Sequence, residues 1–289
     1  MSAAPPPRSW LFVPGDSERK LAKALGCPAD ALILDLEDSV AAAQLPAARQ
    51  RVRDVLNARS ANSAQQIWVR VNPPSSAQLR EDLAAILPAK PDGLVLPKIS
   101  GPRDIANVTQ HTSIKMLVIA TESPQAVLTL PRWDLAGLGN QLAGLTWGME
   151  DLSAALGATG KAQTDGSLTF TFELARSLCL LAAASAGVQA VDGIHADFRD
   201  AAGLAREVAR ARRDGFTGKL AIHPDQVAAI NAAFVPTEAE IARARKIVAA
   251  FAAQPDAGVT SVDGQMLDRP HLLQAQRVLD LAQRTQDAA

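Results

Sequence analysis

The stretch KMLVIATESPQAVLTL, residues 115–130, decides the fold. Residues 115–121 form a short apolar run, too brief for a helix of its own, and the run stops at the acid Glu122. Ser123 then precedes Pro124, the order of a helix N-cap followed by proline in the first turn. The stretch reads as a buried strand that ends on a carboxylate and turns directly into a helix. Working outward, the same reading recurs at residues 9–15, 31–38, 66–72, 93–98, 142–148, 190–195 and 219–223. Further helix starts are marked by Ser17 before Glu18 and by His223 before Pro224.

Strands that alternate with helices predict a parallel sheet, because parallel neighbours need crossover connections. Eight such units predict a closed α/β barrel of the TIM (β/α)8 type rather than an open doubly wound sheet, and no GxGxxG follows the first strand. The barrel is expected over residues 8–235. Its sixth unit carries a long glycine-containing loop, residues 157–169, ahead of a helix near 170–186. Residues 236–289 fall outside a minimal barrel. A helix starts after Pro236 and Thr237, a Gly- and Asp-containing stretch covers 254–270, and a second helix runs over 271–286. This C-terminal helical extension is expected to act as a lid, an oligomerisation arm or both.

A chain of 289 residues with 48% hydrophobic ones can bury a sizeable core, which excludes intrinsic disorder. The 29 Lys and Arg almost balance the 30 Asp and Glu, and no basic stripe stands out, which argues against a nucleic-acid partner. Cys27 and Cys179 have no CxxC neighbour and read as two buried thiols in a reducing compartment. Neither a leader nor a membrane span is expected, so the protein is expected in the cytoplasm.

In a parallel barrel the strand C-termini open on one face, so polar residues just after each strand converge there. Those residues are Asp35, Glu37, Asp38, Arg70, Asn72, Lys98, Glu122, Glu150, Asp151, Asp192 and His223. Carboxylates crowded on one rim repel one another unless a hard divalent cation neutralises them, and Mg²⁺ takes one or two carboxylates while keeping water. Glu122 and Asp151, on consecutive units, suit that role. Plainer roles compete with it. Glu122, Glu150 and Asp151 stand at helix starts, where an acid complements the dipole by about 0.3–1 kcal/mol. Asp38 and His223 suit helix caps, Asn72 before two prolines suits a turn, and Lys98 suits either solvent or the site. Arg70 is harder to set aside, because a guanidinium at the end of a buried strand must find an anion or water.

The motifs RSWLFVPGDSERKLAKA (8–24), LDLEDSV (34–40), WVRVNP (68–73), LPK (96–98), IATES (119–123), WGMEDL (147–152), VDGIHADFRD (191–200), GKLAIHPDQV (218–227) and DGQMLDRP (263–270) cover the chain almost end to end. With them the sequence resembles the citrate lyase β-subunit-like branch of the HpcH/HpaI aldolase superfamily. The resemblance implies a TIM-type barrel enzyme that cleaves or forms a carbon–carbon bond in an acyl thioester with Mg²⁺. It implies Glu122 and Asp151 as metal ligands and Arg70 as the group that binds substrate oxygens. Glu37 and Asp38 are implied as acids that support the metal's water shell and Arg70. Asp268, in the tail, is implied as the acid/base acting in a neighbouring subunit's site. Lys20 and Lys23 in the first unit, and the segment 219–223, lie where such enzymes hold CoA. The resemblance further implies a homotrimer or a hexamer built from trimers, with a small-molecule acyl-CoA or an acyl-carrier protein thioester as substrate.

Malyl-, β-methylmalyl-, citramalyl- and citryl-thioesters all carry the carboxylate, hydroxyl and thioester these residues address. Three alternatives accompany that reading: a class II pyruvate aldolase acting on free 2-oxo-4-hydroxy acids, a Schiff-base aldolase using Lys98, and a subunit that needs an acyl-carrier partner.

Overall fold

The strand β2 (Ala31–Asp35), Ala-Leu-Ile-Leu-Asp, is buried at every position, as expected for a parallel strand covered on both faces. A computed structural model describes residues 6–60, 63–254 and 258–287. The chain divides into one compact unit of residues 7–231 and another built mainly from residues 232–289.

In the first unit, β1 (Ser9–Pro14) leads through α1 (Glu18–Leu25) to β2, then α2 (Leu45–Ala58), β3 (Gln66–Arg70) and α3 (Gln78–Ile86). There follow β4 (Gly93–Leu96), α4 (Pro102–Thr109), β5 (Met116–Ile119), α5 (Pro124–Thr129), β6 (Leu142–Thr146) and α6 (Met149–Leu156). The circuit ends with α7 (Phe170–Ala186), β7 (Gln189–Asp192), α8 (Ala201–Asp214), β8 (Gly218–Ala221) and α9 (Val227–Ala233). Each strand pairs with the next in parallel and β8 returns to β1, closing the eight-stranded barrel that the TIM reading predicts.

Alternate residues fill the barrel's interior: Trp10, Ala31, Ile33, Trp68, Val95, Leu117, Ile119, Val191 and Leu220 form one buried cluster. Trp10 and Trp68 meet edge to face with ring centroids 5.0 Å apart. Ser17 and Ser123 cap α1 and α5 as their positions suggested, and His223 caps the turn that begins at Pro224. Asp38 is not a cap. The chain there is held instead by Asp35, which accepts the N–H groups of Glu37 and Ser39 at 3.0 and 3.2 Å.

The strands are shorter than their apolar and polar runs suggested. β2 stops at Asp35 and β5 at Ile119, because the residues beyond leave the ladder to form the mouth of the barrel. The sixth unit holds two helices, α6 and α7, with a bridge between Ala162 and Leu168 in the loop. Both thiols are free, but only Cys179 is buried. Cys27 lies half-buried in the turn after α1, which corrects the expectation of two buried thiols.

In the second unit, α10 (Glu238–Ala252) starts with a capping box between Thr237 and Glu240. An antiparallel hairpin follows, β9 (Val259–Val262) and β10 (Gln265–Asp268), and then α11 (Arg269–Asp287). Ala244, Ile247, Leu267 and Ala275 form this unit's own core. Among the described residues no helix is long and apolar enough to cross a membrane.

Candidate active site

The site begins with strand register. Asp35 and Arg70 are paired positions on β2 and β3, so their side chains emerge side by side at the strand ends. Arg70 donates from Nε and Nη2 to the two Asp35 oxygens at 2.6 and 2.7 Å, a bidentate pair that fixes the guanidinium plane. Its Nη1 stands 2.9 Å from Glu37, and the cation lies 4.8 Å from the centre of the Phe12 ring. Burial alone would push the Asp35 carboxyl up, but Arg70, the Ser39 side chain and the Glu37 N–H outweigh it and hold it below the usual carboxylate range.

Lys98 joins the remaining acids. It is one of few non-glycine residues with a left-handed backbone, at φ +53°, a strained choice for a side chain that must turn back into the mouth. From there its backbone N–H donates to Glu122. Its ammonium bonds Glu37, reaches both Asp38 oxygens at 2.7 and 2.8 Å, and stands 3.5 Å from Asp151. Burial lowers the lysine's proton affinity, but Asp38 and Glu37 more than reverse this, so the amine is held as an ammonium. An ammonium so paired is not a nucleophile, which removes the physical basis for a Schiff-base role.

Glu122 is only 5% exposed. Its side chain lies against Gly148, where a Cβ would come within 2.7 Å of the Glu122 Cγ, so any other residue there would displace the carboxylate. Burial, reinforced by Asp151 and Glu37 and opposed by Lys98 and Arg70, pushes the Glu122 carboxyl up to about 8. Four carboxylates, Asp35, Glu37, Asp38 and Asp151, thus share two cations, Arg70 and Lys98, and a fifth, Glu122, accepts only from the Lys98 backbone N–H among the described residues. An all-oxygen donor set with surplus negative charge suits a hard divalent ion. Among the described residues no three His, Cys, Asp or Glu side chains form a ready-made cage, whereas Mg²⁺ needs only one or two carboxylates beside its waters.

Other rim residues are placed differently. Glu150, on the first turn of α6, pairs with Lys161 instead of joining the acids. Asn72 is more than a turn residue, since its amide donates to Leu36 O at 2.8 Å and to Asp82 at 2.9 Å, tying β3 to β2. Asp192 faces the helix layer, because its neighbour Val191 points into the barrel. In the segment 219–223, Lys219 is 1% exposed and bonded to Gly193 O, so it is not available to a phosphate. Lys20 and Lys23 are exposed on α1. The His223 ring stacks on Phe198 at 4.6 Å, with the Arg199 guanidinium over that phenyl. In the second unit Asp268 ends β10, where its carboxylate lies 2.5 Å from His271 Nδ1. A cavity of about 780 Å³ runs along α3 and α4, and none of the acids lines it.

A closed parallel barrel with carboxylates and one rigid guanidinium at its mouth defines a barrel enzyme built for oxyanion and hard-cation chemistry. The HpcH/HpaI aldolase/citrate lyase family model matches residues 8–224, and a model for a C–C bond lyase of the TIM-barrel fold matches residues 170–285. The chain belongs to the HpcH/HpaI aldolase/citrate lyase family. It is 36% identical over 282 residues to a (3S)-malyl-CoA thioesterase of Cereibacter sphaeroides, covering 97% of this chain and 96% of that one. It is 33% identical to the mitochondrial citramalyl-CoA lyase of Rattus norvegicus, covering 96% of this chain and 86% of that one. Among solved structures it is similar to CitE of Mycobacterium tuberculosis in complex with magnesium, acetoacetate and coenzyme A. That likeness has a TM-score of 0.81 and 33% identity, covering 97% of this chain and 99% of that one.

Proposed function

We propose that the protein is a Mg²⁺-dependent carbon–carbon lyase that cleaves, or in reverse forms, a 3-hydroxyacyl-CoA such as malyl-, citramalyl- or citryl-CoA. The products are an oxoacid and acetyl-CoA or a homologue. The observation that carries this reading is the buried Glu122, pressed on Gly148 among more acids than bases, beside an arginine whose plane is already fixed. The CitE complex with magnesium, acetoacetate and coenzyme A supports the metal and the thioester alike.

In this reading Glu122 and Asp151 hold Mg²⁺, and the bound ion supplies a fixed positive field for the substrate's carboxylate and hydroxyl oxygens. Arg70, oriented by Asp35, takes the carboxylate of the oxoacid portion. Glu37 and Asp38 accept from waters around the site, and Lys98 keeps both acids in place. As the bond between the α- and β-carbons breaks, the hydroxyl passes its proton to a water at the site and becomes the oxoacid carbonyl. The bonding pair passes to the thioester enolate, which takes a proton from Asp268 at carbon.

The CoA end is assigned to the exposed Lys20 and Lys23 and to the stacked Phe198 and His223. Phe198→Ala is expected to raise KM for an acyl-CoA about tenfold, the size of one lost stacking contact, with kcat little changed. An unchanged KM would remove that assignment.

The test of the whole reading is a panel of malyl-, β-methylmalyl-, citramalyl- and citryl-CoA assayed with Mg²⁺ for oxoacid release. Cleavage of at least one, abolished by EDTA and restored by Mg²⁺, is expected; full activity after rigorous chelation would refute the metal assignment. The relative named as a (3S)-malyl-CoA thioesterase favours a second reading, hydrolysis of the thioester. Product analysis separates the two, since hydrolysis yields free CoA and an intact hydroxy acid, whereas the lyase yields acetyl-CoA and an oxoacid. Turnover of a free 2-oxo-4-hydroxy acid in preference to every thioester would instead favour the pyruvate aldolase, and activity only on a carrier-bound acyl group the acyl-carrier subunit.

A further inference from the structure

A buried ionic network lies between the barrel wall and the helices α7 and α8, outside the acids of the mouth. Its centre is Asp192, 4% exposed. Arg176 of α7 donates from Nε to Asp192 Oδ1 at 2.9 Å and from Nη1 to Asp214 at 2.6 Å, with its guanidinium 4.5 Å from the centre of the Phe216 ring. Lys219 of β8 stands 3.4 Å from Asp192 Oδ2 and 3.1 Å from Glu207, and donates to Gly193 O at 2.7 Å. Two cations from different elements therefore fix one carboxylate. Burial would push Asp192 up, but Lys219, Arg176 and the Trp147 N–H hold it ionised.

The remaining donor to Asp192 Oδ1 is the indole N–H of Trp147, at 2.8 Å. Trp147 opens the segment that carries the candidate metal site. Gly148 comes next and forms the floor beneath Glu122, and Asp151 lies on the first turn of α6. That helix starts on Gly148 with no side-chain cap, so its own N-terminus supplies no anchor. Gly193 packs against the same indole, and a Cβ there would come within 3.1 Å of the Trp147 Nε1 and Cε2 atoms.

We propose that Asp192 and Trp147 are a positioning pair: the charged hydrogen bond between them anchors residues 147–151 and so fixes Asp151 and the floor beneath Glu122. Neither residue touches substrate. The inference rests on the reading that Glu122 and Asp151 hold Mg²⁺. It makes the network behind β7 and β8 a determinant of metal affinity, since groups that orient ligands commonly change affinity by about 10- to 100-fold when lost.

The test uses Trp147→Phe, which removes the N–H but keeps an aromatic ring and leaves Asp192 paired with both cations. Mg²⁺ titration of the full-length chain by calorimetry is expected to show about tenfold weaker binding, the size of one hydrogen bond to a charged acceptor. Hydrogen exchange is expected to quicken at residues 148–152 while α7 and β8 stay protected. Should Trp147→Phe fail to fold, Gly193→Ala crowds the same indole at its Nε1 and Cε2 atoms and carries the same expectations. Unchanged Mg²⁺ affinity, or exchange that quickens across α7 and β8 with no preference for 148–152, overturns the proposal. If the unaltered chain binds no Mg²⁺, the metal reading fails by itself, and the exchange comparison still decides whether the pair anchors the segment.

Discussion

Glu122→Gln is expected to lower Mg²⁺-dependent cleavage about a thousandfold, or about 4 kcal/mol at 1.36 kcal/mol per decade, and to abolish measurable Mg²⁺ binding. The fold should survive, because glutamine has the same shape over Gly148 and still offers an oxygen to the Lys98 N–H. The same variant tests the electrostatics. Burial first, then Asp151 and Glu37, push this carboxyl up to about 8, well above the usual carboxylate range. A carboxyl whose folded value is raised contributes stability at low pH, where both states bind the proton or the folded state binds it more tightly. That contribution is lost as pH rises through about 8. Glutamine cannot ionise, so in chelated buffer its Tm relative to the parent should climb between about pH 5 and about pH 9. A constant difference across that range would mean that Glu122 is ionised throughout and that its burial does not govern its charge. Retention of Mg²⁺ affinity would remove it from the ligand set.

The barrel was legible because a buried parallel strand leaves a compact apolar run, and residues 115–121 and 31–38 are such runs. Their ends were not, since Leu36, Glu37 and Asp38 continue a strand-like alternation after the ladder has stopped. Glu122, Asp151 and Arg70 could be singled out because each closes or follows a strand. Their partners depend on register and backbone turns. Asp35 pairs with Arg70 because β2 and β3 place the two at the same level, and Lys98 reaches the acids through a left-handed backbone. Neither feature is written in composition or spacing. Asp192 was legible in principle: with Val191 facing inward, period-two alternation turns Asp192 outward, away from the mouth. The hairpin β9–β10 also had its signal, since Asp263 and Gly264 both adopt positive φ between two short strands, the pattern of a two-residue turn.

The second large effect is expected at Asp268. Cleavage leaves charge on the thioester enolate, and a protein acid that protonates carbon is worth about 10²- to 10⁴-fold in rate. Asp268→Asn should therefore lower kcat by that range while KM and Mg²⁺ affinity stay close to the parent values, because asparagine keeps the shape and removes only the transferable proton. Locally the substitution is mild: Asp268 is about half exposed at the end of β10, and its structural partner is His271, 2.5 Å away. The decisive measurement is proton exchange at the acetyl-CoA methyl group in deuterated buffer with the oxoacid product present. The parent should wash deuterium into that methyl group, and Asp268→Asn should not, whatever residual cleavage it retains. Hydrolysis of the thioester needs no carbon acid, so a protein acting as a thioesterase would lose little in this variant and would exchange no methyl protons in either form. Exchange that persists in Asp268→Asn would place the carbon acid elsewhere and leave the hairpin a structural element of its unit.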